Sequence, residues 1–236
     1  AKIDINDTRS LQQYSRKINQ FDARRDHGSP QRLFYQQEIL LQEIVSSPKV
    51  IILGDPGSGK STLLKHLLIK SAKGSLFLNK IPILIKLIDL QYEPGCIFSY
   101  MKSAYNYVYD KLEQAVENGE VVFFLDGLDE TLKEHRGVIQ REITRLAALS
   151  NQIFITSRTA AFPKGLFSSD FKIFECIGFN KAQQKKFIAK WYEQNSYLIS
   201  VATNEIYSNS GTYGFARNPL LLSLMLNIFD NDKKYK

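Results

Sequence analysis

Gly54-Asp55-Pro56-Gly57-Ser58-Gly59-Lys60-Ser61-Thr62 is the stretch whose residue types are best suited to chemistry. Gly57 and Gly59 lack a Cβ, so a turn built on them can wrap a polyphosphate and aim its N–H groups inward. Lys60 is spaced to reach β- and γ-phosphates, and the Ser61 hydroxyl to sit on Mg²⁺. The pattern G-x-x-x-x-G-K-[ST] acquires this meaning only between a strand and a helix. Both flanks are present: the apolar run Val50-Ile51-Ile52-Leu53 before it, and Leu63-Leu64-Lys65-His66-Leu67-Leu68-Ile69 after it. A helix opening near Gly59 would add its unpaired first-turn amides and positive dipole end. The stretch predicts a nucleoside triphosphate site.

A second element follows at Phe123-Phe124-Leu125-Asp126-Gly127-Leu128-Asp129-Glu130. An apolar strand ending in a carboxylate can hold Asp126 against the metal shell of Ser61. Asp129 and Glu130 come within one turn of it, where either carboxylate could orient or deprotonate an attacking water. Thr156-Ser157-Arg158 ends a further apolar run, and Arg158 could read a γ-phosphate by bidentate contact or simply lie on the surface. Arg217-Asn218-Pro219 opens an apolar helix, with Pro suited to its first position.

The elements that must position these residues alternate. Helical spacing from Gln31 to Val45 stops at Ser46-Ser47-Pro48, ahead of the phosphate-loop strand. His66, among the leucines of the following helix, is expected to pack there, and that helix to end near Gly74. Ile81 to Ile88 reads as a strand buried on both faces. Ile97, Met101, Ala104, Tyr105, Val108, Leu112 and Val116 step as one amphipathic helix ending at Asn118-Gly119, so its tyrosines read as packing rather than base-stacking residues. Val121–Asp126 is a third strand, a helix runs from about Glu134 to Leu149, Gln152–Arg158 is a fourth strand, and Phe171–Ile177 a fifth. Strands with helices between them predict an α/β fold with a parallel sheet of about five strands. From Asn180, a helix cap, the pattern turns helical: Ala182, Phe187, Ile188 and Trp191 mark one helix and Pro219 to Phe229 another, the start of a small helical subdomain. Residues 1–30 are polar and read as a linker or short helix, with His27 facing solvent.

Composition narrows the class. The chain has 236 residues, 44% hydrophobic and 23% charged, as expected of a globular protein. No apolar run approaches the roughly 20 residues of a membrane helix, and the N-terminus has no signal-peptide core. Cys96 and Cys176 are far apart, without metal spacing, and read as reduced thiols of a cytoplasmic protein. The net charge of +7 is scattered, so solvated faces explain it better than a nucleic-acid surface, and no helix-turn-helix, zinc-finger or RNP signature is present. A start without Met and an end just past a strong helix read as a piece of a longer protein.

Taken as an ordered set, GDPGSGKST, FFLDGLDE, ITSR, FNKAQQKKFIAKWY and RNPLLLSLM resemble a NACHT domain of the STAND NTPases of innate immunity, the bacterial members most, over about residues 30–230. The resemblance implies an AAA+-like core at 31–178, a helical subdomain at 179–236 and an N-terminal extension at 1–30. It further implies ATP and ADP as ligands, Mg²⁺ as cofactor, and homo-oligomerisation on activation. By the same resemblance Pro219 would contact the adenine side of the nucleotide, Arg32 to Tyr35 would form the other wall, and a winged-helix latch, effector and sensor domains would lie outside these residues.

The leading reading is therefore a slow Mg²⁺-dependent ATPase switch of a defence or signalling protein. A nucleotide-locked assembly module without turnover is the alternative. A GTPase ranks below both, because Asn79-Lys80-Ile81-Pro82 fails the guanine-reading N-K-x-D pattern at Pro82. A nucleic-acid motor lacks any helicase motif, and nucleic acid ranks well below nucleotide as a partner.

Overall fold

Alternate residues of the central strands face opposite layers, and this alternation builds the molecule. The computed structural model describes residues 41–91, 97–163 and 165–234. Five strands, β1 (Lys49–Gly54), β2 (Ile81–Lys86), β3 (Val121–Asp126), β4 (Gln152–Ser157) and β5 (Lys172–Cys176), form one sheet in the order β2-β3-β4-β1-β5. Every pairing is parallel. Ile51, Phe123, Leu125, Ile153 and Ile155 point into one core, and Val50, Ile52, Val122, Phe124 and Phe154 into the other. Val121 to Leu125 are fully buried, as a central parallel strand covered on both faces requires.

Helix α1 (Leu41–Ser46) and α2 (Lys60–Ala72) supply Ile44, Leu64 and Leu67 to the second core. There Phe124 and Phe154 stack with centroids 5.4 Å apart, and Phe77 tilts against both. The first core is covered by α3 (Ile97–Ala104), α4 (Tyr109–Glu117) and α5 (Arg136–Ala148). Beyond the sheet the chain is helical: α6 (Lys181–Trp191), α7 (Ser196–Tyr207), α8 (Ser210–Phe215) and α9 (Pro219–Lys234). These helices share their own apolar centre of Ile188, Ala202, Ile206, Leu222 and Leu226. Asn180 opens α6 with a capping box, its side chain accepting from Gln183 N while Gln183 Oε1 accepts from Asn180 N, each at 2.9 Å.

The parallel register brings the C-terminal strand ends to one edge. Leu53 lies opposite Ser157, Gly54 opposite Cys176, and Lys86 opposite Asp126. Ligands of open α/β sheets bind at this edge.

Several expectations need correction. β2 is an edge strand: Ile83 and Ile85 are buried but Ile81 is 44% exposed. The single helix expected from Ile97 to Val116 is two helices, separated by a 3₁₀ turn at Asn106–Val108. Tyr105-Asn106-Tyr107-Val108-Tyr109 is a run of weak helix formers, and the bend turns Val108 outward while Met101 and Leu112 both stay on the sheet. Tyr100, Tyr105 and Tyr109 pack against that core, while Tyr107 is fully exposed. His66 is exposed rather than packed, because Leu64 and Leu67 take the buried side of α2. Helices α7 and α8 add to the two helices that the spacing after Asn180 marks; asparagine caps at Asn195 and Asn209 start them. The linker at 1–30 with His27, the wall at Arg32 to Tyr35, the first part of the Gln31–Val45 helix, and Cys96 lie outside the described residues. No helix among the described residues is long and apolar enough to cross a membrane.

Asn151 is a structural residue that periodicity gave no reason to single out. It is buried, accepts from Val121 N at 3.2 Å, and donates to Val116 O and Leu146 O at 2.9 and 3.1 Å. It thereby ties the ends of α4 and α5 to the start of β3. Asn151→Ala leaves three buried main-chain groups without this partner and should lower unfolding free energy by about 3 kcal/mol in urea titration. His66→Ala, at an exposed helical position, should change it by less than about 0.5 kcal/mol.

Candidate functional site

The loop from Gly54 to Gly59 takes backbone conformations that dictate its glycines. Gly57 has φ +75° and Gly59 φ +98°, the left-handed region that side chains resist. Ser58 N donates to Asp55 O at 3.1 Å, closing a turn, and Leu63 N donates to Gly59 O at 2.8 Å, starting α2. No side chain caps that helix, which leaves its first-turn amides for an anion. The Lys60 ammonium folds back across the loop and donates to Gly54 O at 2.8 Å and Asp55 O at 2.9 Å. Thr62 is exposed on the same turn.

The end of β3 meets this loop directly. Ser61 Oγ donates to Asp126 Oδ1 at 3.0 Å, and Thr156 Oγ1, at the end of β4, donates to the same oxygen at 2.5 Å. Gly127 N donates to Thr156 Oγ1 at 2.9 Å, which fixes the hydroxyl's direction. Thr156 is thus a member of the cluster that the sequence showed only as a strand-end residue. Gly127 has φ +82°, and a Cβ there would come within 3.0 Å of Glu130 Oε2, so the small residue lets Glu130 lie over the turn.

Asp129 and Glu130 differ sharply. The Asp129 carboxylate is only 7% exposed: Oδ1 accepts from Arg158 N at 2.9 Å and Oδ2 pairs with Arg158 Nε at 3.0 Å. Arg136 Nη2 donates to the Asp129 carbonyl at 3.2 Å, holding the turn. Glu130 is exposed, with its carboxylate lying over Gly127. The Arg158 guanidinium is half exposed and paired with Asp129.

On the other side of the loop lies a cavity of about 330 Å³, lined by Asp55, Ser58, Cys176, Gly178, Gly214, Arg217, Asn218 and Pro219. That is within the range of small-molecule sites. Pro219 lines this cavity together with Asp55 and Ser58 of the loop. Asn218 Nδ2 donates to Pro56 O at 2.8 Å and Leu220 N to Gly57 O at 3.4 Å, so the first turn of α9 sits on the loop. Burial pushes the Cys176 thiol above its ordinary pKa, with the Lys60 charge pulling the other way. Asn218 and Cys176 were missed as site residues. An Asn before a helix-opening Pro does signal a cap, but nothing local signals its contact 162 residues away.

The oxygen donors at Ser61 and Asp126 suit a hard cation such as Mg²⁺. Among the described residues no group of three or more His, Cys, Asp or Glu side chains could hold a metal, so a cation here would share its ligands with phosphate oxygens and water.

Comparison with known proteins agrees with this geometry. The NACHT domain family model matches residues 49–195, more than half of the chain. No curated protein sequence matches. Among solved structures, the fold is similar to AMPPCP-bound DnaA from Aquifex aeolicus (TM-score 0.52, 16% identity, 80% of this chain and 58% of that one). Weaker likenesses are a STAND protein with a tetratricopeptide repeat sensor from Pyrococcus horikoshii (TM-score 0.42, 17% identity, 78% and 28%) and Drosophila ORC bound to DNA (TM-score 0.46, 17% identity, 79% and 52%). The chain spans little more than half of the DnaA length. At such identities the likeness is one of fold, an AAA+-like P-loop NTPase core. Because the family match begins on the first residue of β1 and runs past the end of α6, the chain belongs to the NACHT domain family.

Proposed function

We propose that this module binds ATP or ADP with Mg²⁺, hydrolyses ATP slowly, and uses its nucleotide state to control homo-oligomerisation of a cytoplasmic innate-immune or antiphage signalling protein. Effector and sensor domains would lie outside these residues, the core at 31–178 and the helical subdomain at 179–236. The observation that carries the chemical part is the 3.0 Å contact of Ser61 Oγ with Asp126 Oδ1, beside a phosphate-type loop. The signalling part rests on family membership.

The residues divide the work as follows. Backbone N–H groups of Gly57 to Thr62 bind phosphate oxygens, and Lys60 leaves its two carbonyl partners for the β- and γ-phosphates. Ser61 and Asp126 would hold Mg²⁺, with Thr156 fixing the carboxylate. Mg²⁺ would supply Lewis-acid stabilisation of charge on the phosphoryl oxygens. Asp129 has both oxygens engaged by Arg158, which favours it as the residue that positions that arginine. Glu130 is left to accept the proton of the attacking water. Arg158 reads the γ-phosphate once it leaves Asp129. Pro219, which lines the cavity with Asp55 and Ser58, would border the adenine side.

A second reading, an ADP-locked assembly module with no turnover of its own, draws support from the same ion pair. An arginine tied to a nearly buried carboxylate is held where it serves structure rather than turnover.

Two experiments test the proposal. Lys60→Ala should abolish ATP turnover and weaken binding, whereas Glu130→Gln should keep ATP binding and lower kcat by about 100-fold or more. Wild-type turnover in Glu130→Gln with loss in Asp129→Asn would reverse the two roles, and an inert wild-type chain that retains ADP through purification would favour the locked module. Separately, in a Cys96→Ser background, Cys176 should react slowly with iodoacetamide near neutral pH, because burial raises its thiol pKa and leaves little thiolate. The rate should climb as pH rises toward that pKa, and saturating ADP should suppress it. Reaction unaffected by ADP would place the nucleotide elsewhere than the cavity.

A further inference from the structure

Asn218 uses both ends of its amide, and the two ends bind different parts of the molecule. Its Oδ1 accepts from Leu220 N at 3.0 Å and Leu221 N at 3.3 Å, capping the first turn of α9. Its Nδ2 donates to Pro56 O at 2.8 Å, at the tip of the phosphate loop. Leu220 N adds a second, longer contact to Gly57 O at 3.4 Å. The approach is close enough to dictate Gly57: a Cβ there would meet Leu220 Cβ at 2.7 Å and Asn218 Oδ1 at 2.8 Å. A second tie lies next to it, with Phe179 N donating to Arg217 O at 2.6 Å. A Cβ on Gly178 would come within 2.8 Å of that same carbonyl.

In a planar trans peptide the C=O of one residue points opposite to the N–H of the next. A donor that fixes Pro56 O toward α9 therefore fixes Gly57 N–H away from α9. That amide belongs to the group expected to bind phosphate. A phosphate oxygen on Gly57 N–H would polarise the same peptide unit and strengthen the bond at Pro56 O, since hydrogen bonds in a chain reinforce one another.

We propose that Asn218 is a positioning residue that couples the helical bundle to the phosphate loop. It orients the Gly57 amide for phosphate, and bound phosphate in turn tightens the hold of α9 on the loop. The proposal rests on the nucleotide-site reading above. It gives the bundle a direct report of loop occupancy through one side chain, independent of Pro219 and of the base.

The test uses the full chain and a ribose-labelled mant-ADP probe. Trp191, the one tryptophan of the sequence, lies in α6, and its indole donates to Asp230 of α9 at 3.1 Å. Energy transfer from Trp191 to bound mant-ADP therefore reports how closely the bundle sits on the nucleotide. Asn218→Ser retains a cap for α9 but is too short to reach Pro56; Asn218→Ala removes cap and tie together. Asn218→Ser should release mant-ADP about fivefold faster, as loss of one neutral hydrogen bond implies. Transfer per bound nucleotide should fall, while the thermal melt stays near wild type. Asn218→Ala should show both effects and a lower melting temperature. Wild-type release and transfer in Asn218→Ser would overturn the coupling while leaving the nucleotide site intact. Failure of the wild-type chain to bind mant-ADP would overturn the nucleotide reading and the coupling with it.

Discussion

The molecule depends on Asp126 meeting Ser61 across a strand that lies between them. In the sheet order β4 separates β3 from β1, so the two strand ends stand about 10 Å apart at ordinary strand spacing. The phosphate loop and first turn of α2 carry Ser61 back over that gap, and Thr156, from the end of β4 itself, bonds to the same carboxylate oxygen. Three strand ends thus converge on one atom. That convergence requires parallel strands in fixed register, which in turn requires the alternating cores that pin each strand face. A one-residue slip of β3 would turn Phe123 and Phe124 to the wrong layers and carry Asp126 out of reach.

The second constraint is how the helical bundle sits on the loop. Its contacts gather at Gly178, Arg217, Asn218 and Leu220, where glycines on the core side allow backbone to approach backbone. Such packing is stiff, since a single methyl group at Gly57 or Gly178 has no room. A change in loop conformation must therefore be felt by α9, and through Leu222 and Leu226 by the bundle centre. The proposed coupling through Asn218 would link nucleotide binding to the placement of these four helices.

Much of this was legible in the sequence, for identifiable reasons. The phosphate loop, the β3 carboxylate and the sheet could be read because each is local: apolar runs of strand length, glycines at fixed offsets, a carboxylate at a strand end. Pro48, Gly74 and Gly119 marked boundaries because their backbone preferences act on neighbours. What could not be read depends on distant contacts. Which core a strand faces does not reveal whether it is central or at the edge, so β2 looked fully buried. Helical spacing through Ala104, Tyr105 and Val108 hid the 3₁₀ turn that separates α3 from α4. That Asp129 is engaged by Arg158 while Glu130 is exposed needed Arg158 in view, and Asn218 read only as part of a helix start because its contact with Pro56 lies far away in sequence.

The central claim is that Ser61 and Asp126 form a cation-assisted phosphate site with the loop. Calorimetric titration of the chain with ATP, in Mg²⁺ and in EDTA, addresses it most directly. Binding should be tighter with Mg²⁺ in the wild-type chain, and Asp126→Asn should lose that difference while retaining the weak metal-free binding. Equal affinity with and without Mg²⁺ in the wild-type chain would contradict it.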